Sequence, residues 1–218
     1  VQRRVVTIAL LLALTGIGPA CANKPVSRER AMPPRGETEC QLEGWAIDRD
    51  PQGLNVRAAP SGDARILGKL PAFVVNDEEH DFGIPFHIIG SRDGWLKINS
   101  AKDDPARSGI AARETYPGSG WISGRMARFT VQSGQGYQRP DKSSPRIVDL
   151  GNDWLTDFGS LERVVACSGD WALVDFSVDK YRDPDTQALV GSTGGKTQRA
   201  WFRGICANQE TTCDGVEP

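Results

Sequence analysis

The chain is 218 residues long, room for one large domain or for two of about 100 residues each. Its formal net charge is −2 with 25% of residues charged, and no basic block or stripe breaks the mixture, which excludes the electrostatic footprint of a nucleic-acid binder. Past the N-terminus no apolar run approaches the ~20 residues that cross a bilayer, so no membrane span is expected.

The first residues read as a secretory signal. Arg3 and Arg4 precede an apolar run over residues 5–14, and the segment closes on Ala20-Cys21-Ala22, a small-residue cleavage site. We expect residues 1–22 to be removed on export to the periplasm or the cell exterior. Cys21 offers a minority reading, the acylated cysteine of a lipoprotein with an N-terminal lipid anchor. The preceding Gly18-Pro19-Ala20 lacks the leucine such signals carry three positions upstream, which favours plain cleavage. Residues 23–39 are rich in Pro, Arg, Glu and Lys and nearly devoid of large apolar side chains, the composition of a flexible lead.

Order is expected from Cys40, with Gly44-Trp45-Ala46-Ile47 as a first short strand. In the next stretch Leu54, Val56 and Ala58 alternate with Asn55, Arg57 and Ala59, between turn residues Gly53 and Pro60-Ser61-Gly62. Ile66 to Leu70, Phe73-Val74-Val75, Phe86-His87-Ile88-Ile89 and Trp95-Leu96-Lys97-Ile98 follow as short strands. Asp93-Gly94 between the last two is a hairpin signal. Residues 100–119 form an unusually long polar loop, of the kind that is either functional or mobile. The chain returns as Gly120-Trp121-Ile122-Ser123-Gly124.

Residues 131–145 carry Gly134, Gly136, Pro140, Asp141 and Pro145 and read as a linker. Beyond them the pattern recurs. Arg146-Ile147-Val148 answers Arg65-Ile66-Leu67, Arg163-Val164-Val165 answers His87-Ile88-Ile89, Gly169-Asp170-Trp171 answers Asp93-Gly94-Trp95, and Trp201-Phe202-Arg203-Gly204 answers Trp121-Ile122-Ser123-Gly124. The expectation is all-β: two small domains, residues 40–130 and 146–214, the second a worn copy of the first. With Cys21 gone, Cys40, Cys167, Cys206 and Cys213 remain. Four cysteines in an exported chain imply two disulfides, with three connectivities among which the sequence does not choose.

The run Leu54-Asn55-Val56-Arg57-x-x-Pro60-Ser61, followed by Ile66 to Leu70, Gly94 to Ile98 and Gly120 to Gly124, resembles the bacterial SH3-like (SH3b) family over residues 44–129. The second copy is similar only in its later half, because Tyr137-Gln138-Arg139-Pro140 stands where the opening motif is due. The resemblance implies two small SH3-like β-barrels in tandem. It further implies a non-catalytic protein that recognises a cell-wall (peptidoglycan) peptide, or an envelope protein, through the first barrel. Asn55 and Arg57 are the expected polar contacts, an arginine being suited to pair with a carboxylate. Trp95, Tyr116 and Trp121 are the expected aromatic walls, with the 100–119 loop as a movable side.

The residues suggest no other chemistry. Asp77-Glu78-Glu79-His80-Asp81 reads as a solvated turn rather than a metal cluster, and His87 as a surface position on a strand. Gly191-Ser192-Thr193-Gly194-Gly195-Lys196 lacks the Ser/Thr that closes a phosphate loop and reads as a hairpin tip. No cofactor and no metal are expected. A cysteine-histidine cell-wall hydrolase is the enzymatic rival, and it needs a free thiol beside a histidine.

Overall fold

Sixteen short strands and two single-turn helices account for the regular structure in a computed structural model that describes residues 30–74, 82–178, 181–182, 189–190 and 196–216. In chain order they begin β1 (Thr38–Ala46), β2 (Leu54–Arg57), β3 (Ile66–Leu70), β4 (Pro85–Arg92), β5 (Trp95–Asn99), α1 (Pro105–Ser108), β6 (Gly120–Ser123), β7 (Ala127–Arg128) and β8 (Thr130–Val131). They continue β9 (Gln135–Tyr137), β10 (Arg146–Asp149), α2 (Leu155–Phe158), β11 (Gly159–Ser168), β12 (Trp171–Val178), β13 (Tyr181–Arg182), β14 (Leu189–Val190), β15 (Gln198–Phe202) and β16 (Ile205–Cys206). The chain is all-β. Leu54 and Val56 are buried while Asn55 and Arg57 stay half-exposed, as their alternation requires. The Asp93-Gly94 turn joins β4 to β5 with both residues at positive φ, 51° and 82°, the conformation a two-residue hairpin needs.

The largest sheet runs β3-β2-β6-β5-β4-β1-β7 and a second β10-β9-β15-β12-β11, beside the two-stranded pairs β13-β14 and β16-β8, so five strands recur in the same spatial order. Their registers recur as well. Gly90 faces Lys97 and Arg92 faces Trp95 in the first repeat, just as Ala166 faces Leu173 and Ser168 faces Trp171 in the second. Both hairpins bulge at the matching position, Ile89 and Val165, and the second bulges again at Glu162. Trp121 faces Arg57, and Trp201 faces Tyr137. Flanking strands follow the same plan: β1 pairs with β7, and β8 with β16.

The turn after the opening strand is the best-preserved piece. Ala58 N donates to Arg65 O, Ser61 N to Ala59 O and Ala64 N to Ser61 O; in the second repeat Gln138 N donates to Pro145 O, Asp141 N to Arg139 O and Ser144 N to Asp141 O. Pro140 thus stands where Pro60 does, and Tyr137 where Arg57 does. Arg146 takes the place of Ile66 rather than of Arg65, one residue from the alignment read in the sequence.

Residues 131–145, expected as a linker, are part of the fold. They hold β9 and the preserved turn, and Val131, Gln132, Ser133, Tyr137 and Ser144 are buried. Their Pro, Gly and Ser content is turn chemistry rather than that of a spacer. The described part of the expected flexible lead, residues 30–39, is likewise built into the fold: Thr38 and Glu39 open β1, and Ala31 is fully buried. A small side chain packs without leaving any signal in a count of large apolar residues. Phe73-Val74, expected in a strand, contributes one bridge, Val74 to Phe82. The expected signal peptide, Cys21, Val75, His80 and Asp81 lie outside the described residues, as does most of the hairpin tip after Val190.

The 100–119 loop, expected as a movable wall, is fastened at both ends. Arg113 makes a bidentate pair with the buried Asp103 carboxylate, Nε to Oδ2 at 3.0 Å and Nη2 to Oδ1 at 2.7 Å, while its Nη1 donates to Ala72 O at 2.8 Å. The guanidinium is the main cause that holds the Asp103 carboxyl below the usual carboxylate range. Asp104 caps α1, and Tyr116 N donates to Lys69 O.

One hydrophobic core runs through both repeats, from Leu42, Val56, Ile88 and Ile98 to Val164, Val174, Phe176 and Phe202. None of its fully buried members is a tryptophan. Cys40 is bonded to Cys167 across 127 residues of sequence, and Cys206 to Cys213 across 7. Beside the first disulfide, Ser91 Oγ accepts from Cys167 N at 2.9 Å and Gly169 N donates to Glu39 O at 2.9 Å. Val164 N donates to Gly124 O at 2.9 Å, an approach that leaves no room for a Cβ at position 124. Two disulfides fit an oxidising, exported setting. No helix of the described residues is long and apolar enough to cross a membrane.

Candidate functional site

Strand alternation sends Leu96 and Ile98 of β5 into the core and leaves Trp95, Lys97 and Asn99 on the opposite face. Arg57, Trp121 and Lys97 stand in one cross-strand row on that face, because Trp121 of β6 faces Arg57 on one side and Lys97 on the other. The Lys97 ammonium lies 5.6 Å from the centre of the Trp121 ring and 2.9 Å from Glu37 Oε1. Arg57 Nη1 donates to Ala64 O at 2.8 Å, so this guanidinium braces the preserved turn as well as fronting the face. Asn55, two residues before it, has an Oδ1 shielded from solvent that accepts no hydrogen bond from the described residues.

Four of the five residues singled out in the sequence therefore share a face: Asn55, Arg57, Trp95 and Trp121. Trp121 is 5% exposed, because its neighbours cover it, and Trp95 is half-exposed. Tyr116 does not join them. Gly68 is the ladder partner of Val56, on the core side, and a Cβ there would overlap the Tyr116 ring. The ring closes the end of the core, held by Tyr116 N to Lys69 O at 3.1 Å.

Sequence reasoning missed Lys97, Glu37 and Ile89. They border a solvent-facing cavity of about 470 Å³ whose other walls are Thr38, Glu39, Cys40 and Gln41 of β1 and Gly169 of the second repeat. Lys97 was legible as sharing the strand face of Trp95, two residues on, though not as part of a site. Glu37 was not, because only the packing of the lead brings it there. A second groove, of about 410 Å³, lies near the C-terminal disulfide between Glu43, His87, Lys102, Arg107 and Asn208. His87 is exposed on β4, as read, 3.4 Å from Glu43.

Among the described residues no three His, Cys, Asp or Glu side chains gather as metal ligands; His80 and Asp81 lie outside them. Cys167 is fully buried and bonded to Cys40, so it supplies no thiolate beside His87. Compared with protein-family models, curated proteins and solved structures, the chain finds no match.

Proposed function

We propose that this is an exported, non-catalytic binding protein of the bacterial envelope, built from two SH3-like modules, whose first module recognises a peptidoglycan peptide. One observation carries the reading: the first repeat presents Arg57, Lys97 and Trp95 on one outer face, with Lys97 also bordering a 470 Å³ cavity, whereas the second repeat buries the counterparts of all three. Charged and aromatic groups around a groove are what a short, charged peptide requires. The disulfide-bonded state of Cys40, Cys167, Cys206 and Cys213 favours binding over a cysteine-based hydrolase.

The direct test is sedimentation of the mature protein with purified peptidoglycan sacculi. Co-sedimentation that weakens in Trp95→Ala and Lys97→Ala supports the reading. Protein that stays in the supernatant overturns it in favour of a protein partner.

A further inference from the structure

The two disulfides stand in different surroundings. Cys40 and Cys167 are 6% and 0% exposed, inside the core that runs through both repeats. Cys206 is as deeply buried, fixed by its pairing with Thr130 on β8, but its partner Cys213 is half-exposed at the end of a loop that forms no strand. Thiol–disulfide exchange needs a thiolate to reach a sulfur, so in the folded protein the second bond is the one an external thiol can meet.

The loop that this bond closes is also a bridge between the repeats. Gln209 reaches from it to the first repeat, where Gly83 N donates to Gln209 Oε1 at 2.8 Å and Gln209 Nε2 donates to Gly83 O at 3.0 Å. At the loop's end Cys213 N donates to Gln132 Oε1 at 2.9 Å. Asn208 Oδ1 accepts from Glu210 N and Thr211 N, bonds that shape the loop without tying it to anything else. Among the described residues, three hydrogen bonds and the disulfide therefore tie residues 207–213 to the body of the protein. Ala207 and Cys213 also line both grooves at this end of the molecule, the 410 Å³ one beside His87 and Lys102 and another of about 560 Å³ beside Asp170 and Arg203.

We infer that Cys206–Cys213 is a redox-sensitive clasp, whose reduction by an external dithiol releases residues 207–213, takes Gln209 off Gly83 and opens the wall shared by the two grooves. In the exchange a thiolate of the dithiol attacks the Cys213 sulfur to form a mixed disulfide, and Cys206 leaves and takes up a proton. The second sulfur of the dithiol then closes on the first and releases Cys213 as a thiol. The dithiol ends as a disulfide and both cysteines end reduced. With the bond gone, the ordering of the loop rests on hydrogen bonds that water can replace. Cys40–Cys167 stays closed throughout and keeps the repeats joined.

The experiment treats the folded, oxidised protein with dithiothreitol, quenches it with an alkylating reagent at successive times and maps the labelled cysteines by mass spectrometry. Cys206 and Cys213 should be labelled about tenfold or more faster than Cys40 and Cys167. After this partial reduction the Gly83 amide should exchange its hydrogen about tenfold or more faster, while Ile88 and Ile98 keep their rates. Gln209→Ala should free the Gly83 amide in the oxidised protein, and reduction should then add little. Equal rates of reduction, earlier opening of Cys40–Cys167, or a Gly83 amide unchanged by reduction overturns the clasp. A Gly83 amide that stays protected in Gln209→Ala overturns Gln209 as the link. The wild-type measurements decide the matter by themselves if that variant misfolds.

Discussion

The outer faces of the two repeats share a backbone and differ in chemistry. In the second repeat Trp171 and Leu173 of β12 point one way and Ala172 and Val174 the other, so both faces are apolar and both are covered. In the first, Trp95, Lys97 and Asn99 share the outer face, each of them half-exposed, and Glu37 pairs with Lys97. The same order of five strands thus supports two treatments of one surface: an apolar one that seats Ala31, and one with charges arranged on it. The lesson is that a worn motif need not mean a worn fold. The second repeat lost Asn55 and Arg57 yet kept the turn they introduce, since that turn is held by main-chain hydrogen bonds.

The largest expected effect tests whether the repeats depend on each other. Replacing both Cys40 and Cys167 by serine opens a 127-residue link, for which loop entropy sets a loss of up to about 5 kcal/mol; the same change at Cys206 and Cys213 should cost about 2 kcal/mol. Urea unfolding of the two double variants measures the difference, and equal losses would contradict the view that Cys40–Cys167 is the staple between repeats.

Next comes the contrast between the faces themselves. Trp201→Ala removes a fully buried ring and should cost about 3–5 kcal/mol, whereas Trp95→Ala, on the open face, should cost less than about 1 kcal/mol. If Trp95→Ala proved as costly in the same denaturation assay, the first face would have to be structural too.

A smaller effect concerns the loop that encloses the first repeat. The Asp103 carboxyl is held low by Arg113, so the pair stabilises the fold above the ordinary carboxylate pKa of about 4 and loses that contribution as pH falls through the lowered value. Asp103→Asn should cost about 1.5–3 kcal/mol at neutral pH and flatten the acid limb of the stability curve. Calorimetry between neutral and acid pH checks this, and an unchanged acid limb would show that the loop is held by other contacts.

The smallest change in stability should come from Lys97→Leu, which gives the first repeat the residue its counterpart already carries. An effect within about 0.5 kcal/mol is expected, since Lys97 is half-exposed and its pair with Glu37 lies at the surface. Its consequence should appear instead in the binding of charged peptides, weakened while the melting temperature is kept.

Much of this was legible in the sequence, and the misses have physical causes. The strands at Leu54, Ile66, Phe86, Trp95 and Gly120 were legible because alternation and turn residues are local signals. Residues 131–145 misled because turn-rich structure and linkers share a composition. Tyr116 was placed with the aromatic walls because a lone ring in a loop carries no periodicity to say which face it takes. Lys97 was overlooked because a lysine on a strand reads as a solvated position until Trp121 and Glu37 are found beside it.

By itself the sequence determined that the chain is all-β, which side chains of each short strand share a face, and that four cysteines form two disulfides. Those properties follow from neighbours within a few residues and from cysteine number. Tertiary structure alone decided that Cys40 joins Cys167, that one core runs through both repeats, and that Ala31 packs on the aromatic face of the second while Glu37 pairs with Lys97 on that of the first. Periodicity says which way a side chain points, but what lies against it comes from segments far away in the chain, and no local pattern encodes their arrival.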